Sequence, residues 1–152
     1  MVYIILPVKE NYMIPNFNEY GLLPKGIHKA TLEEIEQKFG SSSAKRKELF
    51  IGFLKLVQLL CKHKRGIKSF LLNGSFVANK ESPRDYDCIL VVKKDFNFDS
   101  PEAEKLKDAK KLFYAHNFTC MEEDLDRYHR LIDLFGHEKY TERPKGLVEV
   151  IL

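Results

Sequence analysis

Residues 71–76, Leu-Leu-Asn-Gly-Ser-Phe, followed at 85–87 by Asp-Tyr-Asp and at 88–92 by Cys-Ile-Leu-Val-Val, decide the reading of this chain. An apolar strand, Ile67 to Leu72, delivers a Gly-Ser pair, and a short loop leads to a second apolar strand, Tyr86 to Val92, that opens on two carboxylates one residue apart. Alternation along a strand puts residues i and i+2 on one face, so Asp85 and Asp87 project together. Gly74 lets a ligand come close, and Ser75 offers a hydroxyl and a backbone N–H to a phosphate oxygen. Two hard oxygen donors beside such a turn make a seat for Mg²⁺ (or Mn²⁺) and a nucleoside triphosphate. Lys80 and Arg84, in the loop between, are candidates for the triphosphate oxygens. A solvated basic loop is the alternative reading of that pair.

Composition sets the frame around this core. The chain has 152 residues, 44% of them hydrophobic and 31% charged, the length and balance of one soluble globular domain. The formal charge of +3 does not by itself argue for nucleic acid. Cys61, Cys88 and Cys120 are odd in number and widely spaced, with no Cys-x-x-Cys pair, which fits a reduced intracellular chain with small buried thiols. The apolar start Val2–Leu6 is too short for a signal peptide and is broken by Pro7, Lys9 and Glu10. No run approaches the roughly 20 apolar residues of a membrane span. A cytoplasmic protein with no membrane association is expected. The five histidines lack ligand spacing to one another or to cysteine, so no zinc site is expected.

Along the chain, residues 1 to about 30 read as extended and loop-like, broken by Pro7, Pro15, Gly21, Pro24 and Gly26. Thr31 with Glu34 forms a capping box that starts a short helix ending at Gly40. From Ala44 to Lys64 apolar residues recur at three- and four-residue steps, predicting an amphipathic helix stopped by Gly66. Further helices are predicted from Pro101 to about Ala115 and from Glu123 to Phe135, with strands at Phe118–Met121 and Leu147–Leu152. The pattern predicts an α+β fold, a small mixed β-sheet flanked by helices, in one domain spanning 1–152. Residues 1–66 would supply the extended segment and two helices, and 67–152 the core.

The Gly-Ser turn followed by Asp-x-Asp on the next strand resembles the signature of the polymerase-β-like nucleotidyltransferase superfamily. Three further segments, Asn18-Glu19-Tyr20-Gly21-Leu22-Leu23-Pro24-Lys25-Gly26-Ile27-His28, Gly74-Ser75-Phe76-Val77-Ala78-Asn79-Lys80 and Pro144-Lys145-Gly146-Leu147-Val148, are similar to a small, mostly prokaryotic family of nucleotidyltransferase-like proteins. That likeness runs from about Phe17 to the C-terminus. It implies the nucleotidyltransferase fold, with Asp85 and Asp87 holding the metal and Gly74 and Ser75 the triphosphate. The superfamily pattern also places a third carboxylate on the next strand, where it helps bind the metal and activates the attacking hydroxyl. Here that segment reads Asn117-Phe118-Thr119-Cys120-Met121, with Thr119 in the acid's position. Glu122 is the first candidate to replace it, ahead of Glu149, with Glu123 and Asp124 open if the register slips.

The resemblance therefore implies Mg²⁺-dependent transfer of an NMP from an NTP to a hydroxyl of a protein, RNA or small-molecule acceptor. Many minimal members of the superfamily work in toxin–antitoxin or phage-defence systems, and that context is carried over as an analogy. The alternative is a catalytically degenerate nucleotidyltransferase fold that binds a nucleotide or a partner protein; Thr119 and the small size favour it. For an RNA acceptor, the candidate contacts are Lys25, His28 and Lys45–Lys47, which include Arg46, with Arg127, Arg130, Lys139, Arg143 and Lys145 near the C-terminus. Ordinary surface charge is the competing reading of all of these.

Overall fold

The apolar runs of the sequence meet in a mixed five-stranded sheet with helices on both faces. The computed structural model describes residues 12–152, so the apolar start Val2–Leu6 lies outside the described residues. In chain order the elements are β1 (Ile27–Ala30), α1 (Leu32–Phe39), α2 (Ala44–Cys61), β2 (Ile67–Asn73) and β3 (Tyr86–Val92), then α3 (Pro101–Leu106), α4 (Ala109–Phe113), β4 (Ala115–Met121), α5 (Leu125–Phe135) and β5 (Leu147–Val150). The strands lie in the order β1-β5-β2-β3-β4. β2 is antiparallel to both β5 and β3, while β1 runs parallel to β5 and β4 parallel to β3. The chain is thus α+β, and residues before 66 share one sheet with those after it.

Local chemistry sets the helix ends. Thr31 Oγ1 accepts from the Glu34 backbone N–H at 3.2 Å while Glu34 Oε1 accepts from Thr31 N–H at 3.3 Å, the reciprocal cap read from the sequence. Ser43 caps α2 through the Arg46 N–H. One face of the sheet, with Phe70, Leu72, Cys88 and Leu90, packs beneath Leu49, Phe53, Leu56 and Leu60 of α2. The other, with Leu71, Ile89, Val91 and Leu147, lies under Leu131, Ile132 and Phe135 of α5. Both faces of β3 are covered, which is why its sequence is apolar without alternation.

α2 ends at Cys61 rather than Lys64, α5 starts at Leu125 rather than Glu123 and β5 ends at Val150 rather than Leu152. Three further departures from the sequence reading accompany these. β1 emerges from a stretch expected to be loop; Ile-His-Lys-Ala is too short and polar to announce a strand, and it exists through pairing with β5. The helix expected over 101–115 is two, parted at Lys107–Asp108, where the N–H groups of Lys107 and Asp108 turn back to the carbonyls of Glu104 and Lys105 at 3.2 and 3.1 Å. β4 accordingly begins at Ala115, three residues before Phe118.

The segments that carried the family resemblance adjoin one another. Gly146 N–H donates to Leu23 O at 3.0 Å and Leu147 N–H to Gly26 O at 2.9 Å. A Cβ on Gly146 would run into the Pro24 carbonyl oxygen and come within 2.8 Å of His28 Nε2, so only glycine fits there. Asn79 N–H donates to Gly21 O at 2.8 Å, bringing the loop after the Gly-Ser turn onto the same N-terminal segment.

Candidate functional site

β2 ends at Asn73, and Gly74 turns the chain at φ 91, ψ −169, a region open essentially to glycine alone. Ser75–Val77 follow as one 3₁₀ turn, held down by the buried side chains of Phe76 and Val77. Beneath this loop lies Arg46 of α2, only 4% exposed. Its guanidinium donates to the carbonyls of Phe39 at 3.0 Å, Phe76 at 2.7 Å and Ala78 at 2.7 Å, and also to that of Lys80. Arg46 is therefore an internal clamp on the 76–80 loop, which corrects its assignment to a basic acceptor-binding rim.

Asp85 immediately precedes β3, and Asp87 lies within it, paired with Asn73 on β2 and His116 on β4. Tyr86, between them, points into the core, where its ring meets Phe53 edge-on at 5.6 Å and 89°. Anchoring Tyr86 on one face fixes both carboxylates on the other. His116 Nε2 lies 3.0 Å from Asp85 Oδ2. A Cβ on Gly74 would sit 2.9 Å from Asp87 Oδ2, so the turn and the carboxylate are in close register.

Burial pushes the Asp87 carboxyl above its ordinary range, and Asp85 pushes the same way, while His116 and Lys145 pull it back. Lys145, just before β5, is pushed below its usual value by burial, with Asp87 and Glu138 opposing. Asn73 is fully buried at the level of Asp87, and neither amide atom of its side chain has a hydrogen-bond partner among the described residues. Asp87 and Lys145 open onto a cleft of about 780 Å³ walled by Phe118, Leu134 and Phe135.

The structure sets Gly74 against Asp87, with Ser75 next along the turn and Asp85 two residues before Asp87. The Ser75 hydroxyl makes no hydrogen bond among the described residues, and the side chains of Lys80 and Arg84 are exposed on the intervening loop. Thr119 does not stand beside the pair. It pairs with Leu90, on the opposite face, and accepts from Asn117 Nδ2 at 3.0 Å. The β4 residue level with Asp87 is His116, which a strand started at Ala115 rather than Phe118 would have identified. Glu122 is not brought to the site either. Its N–H donates to Val92 O at 2.7 Å, at the far end of β3, five residues and about 17 Å along the sheet from Asp87. Glu149 pairs with Leu71 and reaches Lys29 at 3.9 Å, also away from the pair. Asn73 and His116 are the polar neighbours that no sequence signal singled out.

Among the described residues no group of three or more His, Cys, Asp and Glu side chains is arranged to hold a metal. The two carboxylates still suit Mg²⁺, which takes one or two protein carboxylates and completes its shell with water and substrate phosphates. Among the other candidate acceptor contacts, Arg127 Nε donates to Thr119 O at 3.0 Å and the Arg143 guanidinium stacks on Tyr20 at 4.0 Å, so both have structural partners. The model of one family, described as a family of unknown function (DUF6932), matches residues 15–151. No match to the chain was found among curated proteins or among solved structures.

Proposed function

The chain belongs to the DUF6932 family, whose function is unknown, and from its site we propose that it is a nucleotidyltransferase of polymerase-β-like fold. It would move an NMP from an NTP to a hydroxyl of a protein, RNA or small-molecule acceptor. The observation that carries the reading is the contact between Gly74 and Asp87, with Asp85 on the same face. A phosphate-approachable turn abutting two co-facial carboxylates is what metal-assisted phosphoryl chemistry needs.

In this reading Asp85 and Asp87 hold Mg²⁺ (or Mn²⁺), which supplies charge neutralisation along the triphosphate. Gly74 leaves room for phosphate oxygens, and Ser75 presents to them a hydroxyl that makes no hydrogen bond among the described residues. His116 orients Asp85 through the 3.0 Å contact. The acceptor hydroxyl gives up its proton to solvent as its oxygen bonds to the α-phosphorus, the bond to pyrophosphate breaks, and pyrophosphate leaves.

A second reading, a nucleotide- or partner-binding protein without catalysis, is favoured by one observation: β4 presents His116, not a carboxylate, level with Asp87. Incubation with each α-labelled NTP and Mg²⁺, with and without total RNA and cell lysate, separates the two. Label transferred by the wild type and not by an Asp85→Asn, Asp87→Asn double variant establishes transfer and its acceptor class. NTP binding with no transfer under any condition establishes the second reading.

A further inference from the structure

Resting on the nucleotidyltransferase reading, we propose that the cleft beside Asp87 seats the nucleoside triphosphate, with Lys145 as a phosphate contact and Phe118, Leu134 and Phe135 as the wall for the base. The cleft measures about 780 Å³, within the range of small-molecule sites. Its lining sets Asp87 and Lys145 in one cleft with Phe118, Leu134 and Phe135, offering both charge and apolar surface to a ligand that is charged at one end and flat and apolar at the other.

Lys145 is held for this task by its backbone. Its N–H donates to Gly136 O at 2.8 Å, and the next residue, Gly146, donates to Leu23 O at 3.0 Å. The ammonium is half-buried, yet makes no hydrogen bond or ion pair among the described residues. A half-buried cation in the field of Asp87 and Glu138, with no ion pair among the described residues, is complementary to a phosphate that also approaches the Asp85–Asp87 pair. Phe118 lies two residues along β4 from His116, on the face of Asp87, and its ring meets Phe135 at 5.0 Å. Leu134, 64% exposed, extends the apolar wall to the rim. Asp133, Glu138 and Glu142 also line the cleft, with His137 and Lys139, so its carboxylates call for a cation to accompany the triphosphate, as bound Mg²⁺ would.

The other dense basic stretch, Lys62–Arg65, lines a separate cavity of about 710 Å³ beyond the C-terminus of α2. Cations there answer the negative end of that helix dipole, which opposes an anionic ligand. It is the weaker phosphate site.

The test is calorimetric titration of ATP, GTP, CTP and UTP, each with Mg²⁺, into the wild type and into Lys145→Gln, Lys145→Arg and Leu134→Glu variants whose melting temperatures match it. The wild type is expected to bind at least one NTP. Lys145→Gln should weaken that binding by about 10- to 100-fold, with partial rescue in Lys145→Arg. Leu134→Glu should weaken it about fivefold or more. Unchanged affinity in Lys145→Gln and Leu134→Glu overturns the placement in this cleft and leaves the nucleotidyltransferase reading standing. A wild type that binds none of the four overturns both.

Discussion

The side chain that Gly74 lacks would occupy the space 2.9 Å from Asp87 Oδ2. Turn and carboxylate therefore constrain each other: the loop approaches as closely as it does only because residue 74 has no Cβ. Its φ of 91 and ψ of −169 exclude other residues independently of that contact. Gly74→Ala should cost about 1–3 kcal/mol of stability through backbone strain and displace Asp87. NTP labelling should be lost even at temperatures where circular dichroism reports a folded variant. A folded Gly74→Ala protein that labels its acceptor normally would remove the turn from the site.

Arg46 predicts a coupling between stability and ligand binding. A buried guanidinium answered by four carbonyls is well satisfied, and no lysine ammonium can reach all four in that fork. Arg46→Met leaves carbonyls of residues 76–80 buried without donors, at about 3 kcal/mol, or a fall in Tm of about 6–12 °C. NTP affinity should fall as well, because the loop it anchors carries Ser75 at its start. The exposed neighbour Lys47 is the control, and Lys47→Ala should shift Tm by less than about 2 °C.

The elements that position the site were legible because their signals are local. Capping at Thr31, periodicity over α2 and the apolar runs of β2 and β3 are properties of neighbouring residues, and each element stands where those signals put it. What was not legible depends on pairing between distant segments. His116 becomes a neighbour of Asp87 only through the β3–β4 register, while the superfamily pattern pointed to Thr119, which pairs with Leu90 instead. Arg46 read as surface charge because nothing in Ala-Lys-Arg-Lys-Glu announces that carbonyls 30 and more residues away will close over it. The motif segments 18–28 and 144–148 likewise serve the junction of β1 and β5, where Gly146 meets Pro24. Lys145 is the one residue of the latter segment whose side chain faces the candidate site.

Asp87 should trade stability for function. Its folded-state pKa is raised, first by burial and then by Asp85, so the folded protein holds the proton more tightly than the unfolded chain does. Its contribution is therefore intact below the ordinary carboxylate range and lost as pH rises through the raised value. In metal-free buffer Asp87→Asn should melt above the wild type at neutral pH, and the gap should close as pH falls toward about 3. Adding Mg²⁺ with an NTP should raise the wild-type Tm and not that of the variant. A variant less stable than the wild type at neutral pH would mean that Lys145 and His116 outweigh burial.

Tyr86 separates packing from polarity at the root of the site. The side chain is fully buried, its ring meets Phe53 edge-on, and its hydroxyl has no partner among the described residues. Burial also holds the phenol far above its usual pKa, so it stays neutral throughout the working range. An unsatisfied hydroxyl costs about 1–3 kcal/mol, so Tyr86→Phe should leave the protein equally stable or more stable by about 1 kcal/mol, with NTP binding unchanged. Tyr86→Ala removes the ring itself, which should cost about 3–5 kcal/mol and release the alternation that keeps Asp85 and Asp87 co-facial. Thermal melts and NTP titrations of both variants check this. A Tyr86→Phe protein destabilised by more than about 1 kcal/mol would reveal a bonded hydroxyl, as through a buried water.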